Sequence, residues 1–414
     1  MTAGAPGGDA LSSGVPRGEP GDEPSSTELP EQAGFARVLR YFLRLGTIGF
    51  GGPIAVVGYM QRDLVEKRAW VSKKDFLDGV ALGQTMPGPL AAQVAMWVGY
   101  LRRGALGAVA TALAFIVPSF ALVTAVAVLY VHYSGLAIVQ SLFYGIAPAV
   151  MAIIAIAAYK LVRLTDGKDK RAWAISAVVF TVTAITGHEP IYLIVGAGFL
   201  LILLDARPDW HFHHRDPHAG GSMNGMMALP FASAGLGTHT SRGTLLALGL
   251  FFLKTGALVF GSGLAIVPLL RDGVVAQHHW LTQAQFLDAV AMGLITPGPV
   301  VITAAFIGYL VAGPLGALVA TVGIFTPIYL GVVVPGRWFV RHRDNRQIKA
   351  FVIGATAAAG GALSGAVVVL SRQAIVDVTT AAIAVVTLGL LLKFKKIPEP
   401  AIVVVAAGLG IVLH

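Results

Sequence analysis

A chain of 414 residues that is 56% hydrophobic and 12% charged, with a mean hydropathy of +0.75, cannot be a water-soluble globule, because soluble domains carry about 25% charged residues. Its net charge of +9 sits largely between long apolar runs, which is expected of an inner-membrane protein and argues against nucleic acid as a partner. It has no cysteine, which excludes disulfides, thiolate metal sites and cysteine redox chemistry.

Residues 1–33 are rich in Gly, Pro, Ser and Glu and lack an apolar run, so they read as a disordered tail and not a signal peptide. A first transporter repeat is predicted over 34–204, with apolar segments near 37–60, 75–101, 104–131, 136–162, 171–187 and 190–204. Residues 205–242 form a polar linker holding His211, His213, His214 and His218, which read as linker residues before they read as metal ligands. A second repeat follows over 243–414, with apolar segments near 243–270, 284–311, 314–334, 348–370, 374–392 and 398–413. Alternating ten-residue segments, the mark of a transmembrane barrel, are missing.

The halves share their interruptions. Gly49-Phe50-Gly51-Gly52-Pro53 and Met86-Pro87-Gly88-Pro89 return as Val259-Phe260-Gly261-Ser262-Gly263 and Thr296-Pro297-Gly298-Pro299. One spacing of 210 residues relates Gly46 to Gly256, Phe50 to Phe260, Trp70 to Trp280, Asp78 to Asp288 and Pro87 to Pro297. Duplicated halves with interrupted apolar helices are the pattern of a secondary transporter, and the breaks point to its substrate site.

Basic residues choose between two topologies. Twelve plain spans would put 14 of the 30 outside, with no orientation bias. Suppose instead that the second segment of each half is a re-entrant hairpin with Pro-Gly-Pro at its tip. Each half then has five full spans, the second half is inverted, and 23 basic residues lie inside against five outside. The expected fold is therefore an all-α polytopic membrane protein of two inverted-topology repeats, each of about five spans plus a re-entrant Pro-Gly-Pro helical hairpin. Both termini are then expected outside, which places Arg37 and Arg40 at the outer interface.

The breaks carry the chemistry. Pro87 and Pro89 remove two amide donors and end one half-helix, and Pro89 suits the start of the next. That start leaves amides without intrahelical partners at a positive dipole end, which suits an anion. Pro297, Gly298 and Pro299 repeat the arrangement. Arg44 and Lys254, six residues before Phe50 and Phe260, are ionisable groups within apolar segments and so candidates for the site; snorkelling to an interface is their plain alternative. Gly51, Gly52 and Gly261 allow close backbone approach. Gln84, Thr85, Gln93, Ser262, Thr296 and Thr303 are polar neighbours, although Ser and Thr in membrane helices often bond their own backbone. Asp78 and Asp288, in Phe-Leu-Asp, can carry a coupling proton or simply favour a helix N-terminus. Trp70 and Trp280 read as interfacial anchors. No helix pairs His and carboxylate at ligand spacing, which leaves neither a metal site nor an enzyme to argue for.

At these residues the chain resembles the chromate ion transporter family, in its long, two-domain form. The resemblance rests on 49–53, on Trp70 with Phe76-Leu77-Asp78-Gly79, on Met86-Pro87-Gly88-Pro89 and Gly99-Tyr100, and on second-half counterparts that include Phe286-Leu287-Asp288 and Gly308-Tyr309. It implies export of chromate across the cytoplasmic membrane, driven by membrane potential or a proton gradient, with sulfate as competitor; apart from the resemblance, no cofactor is called for and a homodimer is left open. Leu90 departs from the polar or acidic residue that some members carry there. Uptake of sulfate or a related oxyanion, and a receptor or scaffold without transport, remain the alternatives.

Overall fold

The computed structural model describes residues 34–50, 52–188, 191–205, 242–260, 263–342, 345–394 and 397–413, and among them there is no β-strand. The tail 1–33, nearly all of the linker and the site candidates Gly51, Gly261 and Ser262 lie outside the described residues. The first half holds α1 (Phe35–Ile48), α2 (Gly52–Met60), α3 (Lys73–Thr85), α4 (Leu90–Tyr133), α5 (Ala137–Asp166), α6 (Lys170–Thr186) and α7 (Ile191–Asp205). The second holds α8 (Arg242–Gly256), α9 (Ile266–Arg271), α10 (Gln283–Ile295), α11 (Thr303–Val333), α12 (Gly336–His342), α13 (Arg346–Ala374), α14 (Val378–Lys393) and α15 (Glu399–Leu413). Leu90–Tyr133, Ala137–Asp166, Val300–Val333 and Arg346–Ala374 are long and apolar enough to cross a membrane.

The duplication extends to backbone detail. Both α2 and α9 run into a π-helical turn, Gln61–Lys67 and Asp272–Gln277. Positive φ recurs at Ala69 (48°) and His279 (52°), which are 210 positions apart. α12 matches the end of α4, from which it differs in being set off from α11 by a break at 334–335.

Each Pro-Gly-Pro joins two short antiparallel helices. α3 starts at Ser72, whose Oγ accepts from the Asp75 amide, and ends where Met86 turns extended ahead of Pro87. Residues 90–102 run back along it, so that Trp97 Nε1 donates to the Asp75 carbonyl at 2.8 Å. α4 then reverses at Arg103 (φ −142°) and Gly104 (φ 59°), and its remainder, 105–133, runs beside 90–102. The approach is backbone to backbone: a Cβ on Gly99 would lie 2.2 Å from the Gly107 oxygen. α11 repeats the reversal at Ala312 and Gly313, with Gly308 against Gly316.

The first apolar segment of each half departs from expectation. It was expected to cross as one span, yet α1 and α2 turn back on each other. Tyr41 meets Trp70 edge-on at 6.5 Å, and Arg68 lies 5.4 Å over the Tyr41 ring. In the second half Phe251 meets Trp280 at 5.8 Å. The reason lies in the break: Gly49 leaves helical geometry and Gly52 takes φ +75°, which reverses the chain instead of kinking it. Each half is therefore two hairpins followed by four helices.

Contacts define the two ends of the bundle. At one end Arg103 lies over Phe35, Arg102 donates to the Trp70 carbonyl, and Arg171 pairs with Asp205. Arg346 also reaches the Asp205 carbonyl there, and Tyr329 the Ala105 carbonyl. At the other end Arg271 donates to the Gly187 carbonyl at 2.6 Å, His188 Nδ1 lies 2.6 Å from Asp272, and Tyr144 donates to Asp377. The open ends of the first half's hairpins (35, 70, 102) thus lie at one end, and those of the second half (271, 280) at the other. The first end is the basic one: it gathers Arg62, Lys67, Arg68, Lys73, Lys74, Arg102 and Arg103 beside Lys168, Lys170, Arg171 and Arg346.

Candidate functional site

The hairpin tips meet in the middle of the bundle and bond across the halves. The Gly88 amide donates to the Val259 carbonyl at 2.6 Å, and the Gly298 amide donates to the Gly49 carbonyl at 3.4 Å. Each Pro-Gly-Pro tip thus docks on the Gly-rich break of the other half. Gly88 (φ 142°) and Gly298 (φ 104°) are required twice over, by backbone geometry and by space. A Cβ on Gly298 would lie 2.1 Å from Ser119 Oγ, and one on Gly88 2.9 Å from Ile328. Ser119 in turn donates to the Gly46 carbonyl at 3.3 Å.

The polar candidates near the tips mostly brace them. Gln93 is fully buried and its Nε2 donates to the carbonyls of Pro87 (2.9 Å) and Met86 (3.3 Å). Thr303, at the matching place, donates to Val300 O at 2.8 Å, while Thr85 and Thr296 donate to Ala81 and Met292 within their own helices. Their protons are thereby engaged, and what remains on each hydroxyl is acceptor capacity. Gln84 is exposed, whereas Pro87, Pro297 and Pro299 are partly or fully buried around the tips.

Helix starts supply the donors. The first intrahelical bonds of α4 run from Ala92 and Gln93 to Pro89, which leaves the amides of Leu90 and Ala91 ahead of them. In the second half the first such bond runs from Ile302 to Pro299, ahead of which stand Val300 and Val301.

Arg44 and Lys254 are both exposed, outside the buried cluster at the tips. Arg44 ends a stripe with Arg37 and Arg40 on α1, opposite the buried Val38, Tyr41, Phe42 and Leu45. The matching positions on α8 are Ala247, Leu250 and Lys254. Asp78 and Asp288 are buried (3% and 8% exposed), and Asp288 accepts from the Tyr130 hydroxyl at 2.7 Å. Sequence reasoning missed Tyr130, Ser119 and the carbonyls of Gly49 and Val259. Only Ser119, directly after a proline inside an apolar run, carried a local signal.

Among the described residues there is no group of three or more His, Cys, Asp or Glu placed to hold a metal. Comparison with known proteins agrees with the duplicated architecture: the profile described as chromate transporter matches residues 36–202 and again 246–411. The chain is 49% identical to a chromate transport protein of Cupriavidus metallidurans over 91% of its own length and 93% of the relative's. It is 47% identical to a probable chromate transport protein of Synechococcus elongatus, covering 91% and 95% of the two chains. A chromate transport protein of Pseudomonas aeruginosa is 28% identical over 92% and 93%. No solved structure matches. Two profile matches along a multi-pass helical chain, and near-full-length identity of this level, make it a member of the chromate transporter family.

Proposed function

We propose that the protein is a secondary transporter that exports a tetrahedral oxyanion, chromate foremost, across the cytoplasmic membrane, and that its anion site lies where the hairpin tips of two inverted repeats meet. The observation that carries this reading is the reciprocal exchange of tip amides, Gly88 to Val259 and Gly298 to Gly49. It brings two interrupted helices from opposite ends to one place, with the positive end of each half-helix directed there.

The membrane orientation follows from length and charge. α3 and α10 have 13 residues each, about 20 Å of helix at 1.5 Å per residue, against a hydrocarbon core of about 30 Å. They are too short to cross and so enter and return, with non-helical tips sheltered by protein. The basic end then faces the cytoplasm. In this orientation the exposed stripe of Arg37, Arg40 and Arg44 faces water on the cytoplasmic side, as charged residues in membrane segments do, and draws anions toward the tips. The opposite end, with Arg271, Arg372 and the start of α8, has no such stripe. That asymmetry supports loading from the cytoplasm. Rocking of one repeat against the other would then expose the tips alternately to each side.

The test is anion flux in liposomes containing the purified protein, with chromate, sulfate and molybdate compared with and without a pH gradient. Chromate flux above protein-free liposomes is expected. Arg44→Ala, which removes an exposed charge from the stripe, should lower it severalfold at low salt and less at high salt, and Lys254→Ala should lower it less. Absence of anion flux under every gradient would remove the transporter reading, and full activity in both variants would remove these cations from the site.

A further inference from the structure

At the end opposite the basic face, a cavity of about 770 Å³ opens on the seam between the two halves. Tyr130, Gln140 and Tyr144 line it from the first half, and Gln283, Gln285 and Asp288 from the second. Apolar side chains such as Val139, Phe143, Leu287 and Val376 make up much of the wall, its polar groups are amides and hydroxyls, and Asp288 is the one carboxylate among the described lining residues. That carboxylate does not lie loose in the cavity, because the Tyr130 hydroxyl crosses the seam to donate to it at 2.7 Å.

We infer that Asp288, closed by Tyr130 and reached through this cavity, is the site that takes a proton from the external solution during the transport cycle. The inference rests on the transporter reading above, takes a proton gradient as the driving force that the family resemblance implies, and adds the residue and the route. The step is a plain proton transfer: a hydronium ion entering the cavity gives H⁺ to an oxygen of the Asp288 carboxylate, which becomes a neutral acid, and is left as water. Two things change together. The Tyr130 bond loses its charged acceptor and weakens, which loosens a tie between the halves. The negative charge beside the cavity also disappears, so that a departing dianion is no longer repelled.

The surroundings leave Asp288 as the proton acceptor. From α4 it meets Tyr130, and from α5 it faces Tyr144, whose hydroxyl is turned to Asp377. From α9 and the π-helical turn after it, Arg271 is taken up by Gly187 and Gln283, and Asp272 by His188 and Gln277. α11 brings Tyr309 and no charged side chain, and the one acid of α15, Glu399, starts that helix at the basic end. The duplicated position is built differently. Gly104 and Gly313 lie 209 residues apart, and at that spacing Phe339, which carries no hydroxyl, stands where Tyr130 does.

The experiment uses the full-length protein in liposomes and separates exchange from coupling. Chromate counterflow at equal pH reads carrier turnover without net proton movement, and chromate flux under a pH gradient, with a pH-sensitive dye, reads coupling. For Asp288→Asn, counterflow within about threefold of wild type is expected, together with at least a tenfold loss of gradient-driven flux and loss of the chromate-dependent pH signal. Tyr130→Phe should keep coupling but move the pH of half-maximal flux upward, since the carboxylate loses a donor. Coupled flux at wild-type level in Asp288→Asn overturns the inference while leaving transport intact. If Asp288→Asn fails in both assays, Asp288→Glu decides: active counterflow with a displaced pH profile supports the site, and an unchanged profile overturns it. Absence of counterflow in the wild type is the separate failure of the transporter reading.

Discussion

Gln93 has no exposed surface, and its amide group ties down the two carbonyls that Pro87 and Pro89 leave without helical partners. Its own Oε1 has no hydrogen-bond partner among the described residues. Replacing Gln93 by Leu keeps the volume and strands the Met86 and Pro87 carbonyls, a loss of about 1–3 kcal/mol. The expected result is a lower thermal midpoint in detergent and reduced flux; an unchanged midpoint would show that the tip does not depend on this brace. Thr303, which bonds only its own turn, should tolerate Val with a smaller effect. At this scale the sequence marked the right neighbourhood, because Pro-Gly-Pro in an apolar run has few uses. It did not distinguish residues that hold the backbone from residues that can meet a ligand. That difference depends on where each proton is spent, as the hydroxyl bonds of Thr85 and Thr296 illustrate.

Hairpins are the working element, and each half has two. The α3 hairpin was expected because Pro-Gly-Pro parts two apolar runs and because basic residues segregate to one side only if the chain returns. The α1–α2 hairpin was not, since hydropathy is the same whether a segment crosses or doubles back; the evidence for return is the meeting of Tyr41 with Trp70. The native chain lacks cysteine, so single cysteines report position cleanly. In the proposed orientation Ser72→Cys should react with an impermeant thiol reagent only from the cytoplasmic side. Thr282→Cys, at the matching N-cap of α10, should react only from outside. Equal labelling of both from one side would mean that the hairpins do not oppose each other.

Over the whole molecule, turning the first segment back also moves the start of the bundle. Phe35 lies beside Arg103 at the basic end, so Arg37 and Arg40 join the other cations there instead of sitting at an outer interface. The expectation of two external termini is therefore revised: α1 starts on the cytoplasmic side in the proposed orientation, while α15 runs toward the other. A fluorescent protein fused ahead of α1 should glow in the cytoplasm, and alkaline phosphatase fused after α15 should be active outside. The reverse pattern would invert the proposed direction of transport.

Four helices follow the hairpins in each half, and an even number of reversals returns a chain to the end it left. Asp205 is held at the basic end by Arg171 and Arg346, whereas α8, with Phe251 beside Trp280, comes in from the opposite end. The chain thus ends its first half at one end of the bundle and begins its second at the other, so that in the proposed orientation one order of elements is laid down from opposite sides of the membrane.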